Sequence, residues 1–112
     1  GFAYFGSGSS PGTIFKVRLS DFKRVGTLTL GPGENDLTSA TIDTARGFAY
    51  FGTNTSPGIV VKIDLLAFAR AGALRLQPGQ DILFKAATVD SAAGFGYFGT
   101  YTSPGIVVKI GL

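Results

Sequence analysis

Residues 47–65 read GFAYFGTNTSPGIVVKIDL, and residues 94–112 read GFGYFGTYTSPGIVVKIGL. The two stretches differ only at Ala49/Gly96, Asn54/Tyr101 and Asp64/Gly111. A third copy, GFAYFGSGSSPGTIFKVRL, occupies residues 1–19. The copies are offset by 46 and then 47 residues. An internal period of this size is the mark of a repeat architecture, in which each unit buries its apolar surface only against its neighbours.

The segments between the copies match as well. Phe22-Lys-Arg-Val-Gly-Thr-Leu-Thr-Leu-Gly-Pro-Gly33 corresponds to Phe68-Ala-Arg-Ala-Gly-Ala-Leu-Arg-Leu-Gln-Pro-Gly79, and Ala40-Thr-Ile-Asp43 to Ala87-Thr-Val-Asp90. The extra residue of the longer interval falls near Phe84–Ala86, in a loop or at a bulge where a strand begins.

Each repeat holds four strand-like pieces, here called positions A to D. In the central repeat they are about 38–43, 48–53, 59–65 and 71–76. Turn chemistry separates them. Gly47 closes the A–B connection with access to positive φ, and Thr55-Ser-Pro-Gly58 makes the B–C turn. Gln77-Pro-Gly79 opens the D–A linker. In position B, Phe48 and Tyr50 alternate with Ala49 and Phe51, so both faces are apolar. In position C, Ile59, Val61, Ile63 and Leu65 share a face opposite Val60 and Lys62. A strand apolar on both sides belongs between two layers, whereas the mixed pattern of position D suits an outer, wetted strand.

Four short antiparallel strands repeated every 40–50 residues describe the blade of a β-propeller. The expected fold is therefore all-β: a β-propeller section of four-stranded antiparallel blades 46–47 residues long, about 2.4 repeats, with the ring not closed. Residues 1–30 would be an incomplete blade (B-C-D), 38–76 a complete one, and 84–112 an incomplete one (A-B-C). A β-solenoid is the alternative, but its rungs are shorter and parallel.

The strings Ala-Thr-Ile-Asp, Gly-Phe-Ala-Tyr-Phe-Gly-Thr and Ile-Val-Val-Lys-Ile-Asp-Leu of the central repeat resemble the repeat of YVTN-type and NHL-like propellers. The likeness covers the whole chain at the level of fold. It implies blade geometry without a single activity. An extracellular or cell-envelope setting is what the resemblance implies. Some YVTN-like propellers resemble sugar-lactone hydrolases, which rely on an acid–base His that this chain lacks.

Composition narrows the function. With 45% hydrophobic and 15% charged residues, the chain is too apolar for disorder. No apolar run approaches the roughly 20 residues of a membrane-crossing helix, so no membrane insertion is expected. The absence of Cys and His removes disulfides, thiolate nucleophiles and the commonest general base. No cofactor is expected. The net charge of +3 is scattered along the chain, which argues against nucleic acid. Met is absent even at position 1, so the chain reads as a section of a longer, processed or engineered one. The expected partners are the remaining blades of a parent chain, or self-association through exposed blade edges. A homomeric ring would leave residues 2–19 or 95–112 redundant, which favours the longer parent.

The antiparallel order places the D–A linkers and B–C loops on one rim, where binding residues usually sit. Candidate partner-binding residues there are Glu34, Asn35, Asp36, Thr53, Asn54, Asp81, Thr100 and Tyr101. Asn54 and Tyr101 differ within otherwise matching loops, which is either tuning of a site or drift. Glu34, Asn35 and Asp36 offer oxygens to Ca²⁺, but in no EF-hand spacing, and the second copy, Gln80-Asp81-Ile82, loses most of them, so turn and solubility roles are the favoured reading. Asn54-Thr-Ser56 fits an N-glycosylation acceptor followed directly by Pro57.

Elsewhere, Asp43 and Asp90 would accept N–H bonds in their own turns or act as ligands near a channel mouth. Lys16, Lys62 and Lys109 would be solvated edge lysines or a positive ring. Tyr4, Tyr50 and Tyr97 would be core residues with hydrogen-bonded hydroxyls. The expected function is a non-catalytic scaffold presenting loops to a protein or glycan. The alternatives are a repeat lectin, or part of a lactone-hydrolase-like enzyme whose catalytic residues lie outside these 112 positions.

Overall fold

The alternation of apolar side chains on both faces of positions B and C is resolved by stacking. A computed structural model describes all of residues 1–112. Ten strands run in chain order: β1 (Phe2–Gly6), β2 (Thr13–Arg18), β3 (Lys23–Thr29), β4 (Leu37–Asp43), β5 (Phe48–Thr53), β6 (Ile59–Asp64), β7 (Ala69–Arg75), β8 (Ala87–Asp90), β9 (Phe95–Gly99) and β10 (Val107–Gly111). They form three antiparallel meanders: β1-β2-β3, then β4-β5-β6-β7, then β8-β9-β10. The array is open, and no strand of the last sheet pairs with the first. There are no helices, hence none long and apolar enough to cross a membrane.

Two cores lie between the sheets. On one face of the central sheet, Ala49, Phe51, Ile59, Val61 and Ile63 pack with Ile14 and Leu30 of the first repeat. On the other face, Tyr50, Val60 and Leu76 pack with Phe98, Val108 and Ile110. Position B of the middle sheet is thus buried on both sides, as its sequence demands. β3 and β7 are largely exposed, as the mixed pattern of position D requires.

Burial at equivalent positions depends on whether a neighbouring sheet is present. Phe51 is 2% exposed, whereas Phe5, its counterpart on the outer face of the first sheet, is 52% exposed. Val60 is 2% exposed, whereas Val107 on the outer face of the last sheet is 75% exposed. Every fully covered face is covered by an adjacent repeat.

The one-residue difference in repeat length has a local cause. Where the first interval has Thr38 and Ser39 inside β4, the second has Phe84, Lys85 and Ala86. These three form a tight turn: Ala86 N–H donates to the Phe84 carbonyl (2.9 Å), and Lys85 has a φ of 70°. β8 therefore starts late and is 4 residues long, against 7 for β4.

Candidate functional site

The D–A linkers and B–C loops meet on one rim, and the same bonds fix them in both intervals. Gly12 N–H donates to the Glu34 carbonyl (2.7 Å), Asp36 N–H to Ser9 (2.9 Å) and Leu37 N–H to Ser7 (2.9 Å). Forty-six residues on, Gly58 N–H donates to Gln80 (2.8 Å), Ile82 N–H to Thr55 (3.0 Å) and Leu83 N–H to Thr53 (3.0 Å). Each linker is also held by the following repeat: Asn54 N–H donates to the Asp36 carbonyl (2.8 Å), and Tyr101 N–H to that of Ile82 (2.8 Å). Leu37 and Leu83 are the buried anchors of these linkers. The rim is a continuous lattice of backbone bonds rather than a set of free loops.

Inside each B–C loop runs a chain of hydroxyls. The Thr55 hydroxyl donates to the Pro57 carbonyl (2.8 Å), so the Thr53 hydroxyl must donate to Thr55 (2.6 Å) while accepting the Ile59 N–H (2.9 Å). Thr100, Thr102, Pro104 and Ile106 repeat it, as do Ser7, Ser9, Pro11 and Thr13. The peptide bonds before Pro11, Pro57 and Pro104 are cis.

The expected binding residues separate on this frame. Thr53 is fully buried and Thr100 partly so, and both hydroxyls are spent inside their loops. They shape the rim and do not present a polar group to a partner. Glu34 keeps the expected turn role, accepting the Gly31 N–H (2.9 Å), but it is not a solubility residue. It is 5% exposed, and Arg70 of the next sheet donates Nε to both its oxygens (2.9 and 3.0 Å) and Nη2 to Oε2 (2.6 Å). Burial pushes the Glu34 carboxyl up, but hydrogen bonds from Arg70 and from the Gly31 N–H, with the Arg70 charge, outweigh it and set its pKa below the ordinary value. The same partnership raises Arg70.

Asp36 has a φ of 53° and accepts a bond from the Asn54 amide at 2.8 Å. Asn35 and Asp81 are half-buried, and no group of three acidic side chains gathers to hold a cation. Tyr101 is 71% exposed, its ring tilted against Phe84 at 5.4 Å between centroids. At the matching positions 54 and 101 the rim thus displays unlike contacts, Asn54 with Asp36 and Tyr101 with Phe84.

On the opposite rim, Asp43 is 1% exposed. It accepts the Arg46 N–H (3.3 Å) of its own turn, as expected, and also the Ser91 hydroxyl (2.7 Å) of the next repeat. The Ser91 bond joins two sheets and had no signal in the sequence beyond a hydroxyl one turn later. The Tyr50 ring is buried, but its hydroxyl has no partner, contrary to the expectation for the strand B tyrosines. Burial and the nearby Asp43 charge raise its pKa, with Arg46 opposing.

The recurring lysines are not simply solvated. Strand β6 is interior, and Lys62 Nζ sits 4.1 Å above the centre of the Phe48 ring. Lys16 lies likewise over Phe2 at 4.2 Å, and Lys109 over Phe95 at 3.9 Å. These are cation–π contacts, worth about 0.5–1 kcal/mol each where exposed.

No family model matches the chain, and no curated protein matches it.

Proposed function

We propose that the chain is a section of a β-propeller that works as a non-catalytic scaffold, with the rim of D–A linkers and B–C loops as its binding face. The observation that carries this reading is the pairing of Asn54 with Tyr101. Their backbones are held by equivalent bonds of 2.8 Å, yet their exposed side chains differ in size and chemistry. A lattice that keeps the main chain constant while side chains change is suited to presenting a partner-specific surface.

The propeller reading is supported by three meanders stacked in chain order, with an apolar core between each neighbouring pair. It places residues 1–30, 38–76 and 84–112 in successive blades, and gives the outer sheet faces to further blades or to self-association. The loop hydroxyls are engaged in their own relay, so the reading assigns them no nucleophilic role.

A screen of peptide and glycan libraries against the chain and its Asn54→Ala and Tyr101→Ala variants tests the proposal. The expected result is a ligand lost in one or both variants with unchanged thermal melting. A ligand insensitive to both places the binding face elsewhere. A glycan reading gains specific support from Tyr101, an exposed ring already braced by Phe84 and so able to stack on a sugar face. Ligands confined to the glycan library, and lost in Tyr101→Ala, would favour it over protein recognition.

A further inference from the structure

Phe68 occupies a socket on the preceding sheet. It lies in the hairpin leading into β7, at a φ of 48°, and its ring reaches back to Tyr4 (5.9 Å between centroids). The Lys16 ammonium lies 5.6 Å from its centre. Gly26 forms the floor of the socket: a Cβ there would come within 2.9 Å of the Phe68 ring. The same strand sends Arg70 back to Glu34.

The central sheet carries the same socket one repeat later. Tyr50, Lys62 and Gly72 stand where Tyr4, Lys16 and Gly26 stand in the first sheet. Here Gly72 faces open space, with nothing within 4 Å of its Cβ position. A cavity of about 160 Å³ is bounded by these residues and by Ile110 and Leu112 of the last sheet. A second recess of about 290 Å³ runs past Val108 and Lys109 to Gln80, the counterpart of Glu34. Between them lies β10, an edge strand whose outer side has no partner.

The geometry points to a single seat for a β-strand. It comprises the free edge of β10, the Tyr50/Lys62/Gly72 socket and the Gln80 recess. The occupant is an extended segment of sequence Phe-x-Arg-x-Gly-x-Leu-x-Leu, the pattern shared by residues 22–30 and 68–76. Strand addition to an edge supplies main-chain bonds, and side-chain pockets set register and choice. The register follows from the two existing sheets: Lys16 pairs with Gly26 and Lys62 with Gly72, so Lys109 pairs with the ligand glycine. The ligand Phe, four residues earlier, then enters the socket, and its Arg, two residues earlier, reaches Gln80. The seat does not depend on what the rim binds, so loss of the rim ligand leaves it intact.

The test uses a synthetic peptide with the sequence of residues 64–76, DLLAFARAGALRL, added to the isotope-labelled chain. Saturable shifts of the amide signals of Val107–Gly111 and Gly72 are expected. Replacing the peptide Phe by Ala should weaken binding at least tenfold. The Gly72→Leu variant, which fills the socket from below, should do the same without changing the circular dichroism spectrum. As a second measurement, residues 66–76 are appended genetically after Leu112, which should raise Tm by about 5 °C or more, a gain that Gly72→Leu cancels. The inference is overturned if the peptide does not bind and the extension leaves Tm unchanged. It is equally overturned if binding occurs but ignores both the Phe replacement and Gly72→Leu.

Discussion

Arg70 grips Glu34 with both ends of its guanidinium edge, Nε on Oε1 at 2.9 Å and Nη2 on Oε2 at 2.6 Å, and so ties the central sheet to the linker before it. The carboxylate is buried while the guanidinium is 43% exposed, so the pair combines charge-assisted bonds with partial screening. The second linker has Gln80 in place of Glu34, and Gln80 keeps the local bond to its own turn, accepting the Gln77 N–H as Glu34 accepts that of Gly31.

The pair predicts an acid-sensitive contribution to stability. The folded-state pKa of Glu34 is lowered, so its contribution is complete above the ordinary carboxylate range and is lost as pH falls through the lowered value. Glu34→Gln should cost about 1–2 kcal/mol at pH 7 and much less at pH 3. Urea melts of both proteins at the two pH values check this. An equal cost at both would show that the ion pair does not stabilise the fold.

Equivalent phenylalanines should differ in weight. Phe51→Ala removes a ring packed against two sheets and should cost about 3–5 kcal/mol. Phe5→Ala removes its half-exposed counterpart and should cost about 1 kcal/mol or less. Denaturant unfolding by circular dichroism measures both. Similar costs would mean that the outer face of the first sheet is covered in solution.

The contrast between these rings also shows what the sequence made legible. Alternating apolar residues on both faces of Phe48–Phe51 imposed a sandwiched strand, and the turn residues marked its ends to within two positions. Pairings between repeats were hidden. Glu34 looks like a surface residue because its partner is 36 positions away and because its counterpart is Gln80, which carries no charge to pair. Thr53 looks like an available hydroxyl because nothing in its neighbours shows that Ile59 and Thr55 use both its bonding directions. Asn54 and Tyr101 were legible as exposed variants, since a difference within matching loops needs no tertiary information to be seen.

Ile82 carries a local conflict that its counterpart avoids. Its φ is 54°, close to the 53° of Asp36, but a β-branched side chain is poorly tolerated in that region. The residue cannot relax, because its N–H is held by Thr55 and its carbonyl by Tyr101. Ile82→Asn, which suits the left-handed region, should stabilise the chain by about 1 kcal/mol. Differential scanning calorimetry should show a higher Tm. A lower Tm would mean that burial of the isoleucine side chain outweighs the backbone strain.

Gly26 and Gly72 offer the sharpest comparison of two matching positions. Both occupy the middle of a D strand opposite a lysine, and neither has a positive φ, so backbone conformation does not demand glycine at either. At Gly26 the Phe68 ring takes the space that a methyl group would need, and Gly26→Ala must displace it from Tyr4 and Lys16. That overpacking should cost about 1–3 kcal/mol. At Gly72 the space is open, and Ala gains the lower unfolded-state entropy of a residue with a side chain, about 0.4–1 kcal/mol in favour of folding. Opposite signs in parallel urea melts are therefore expected from one substitution at two equivalent sites. A loss at both would show that something besides the Phe68 ring restricts the D strand, and would remove the distinction between a filled and an open socket.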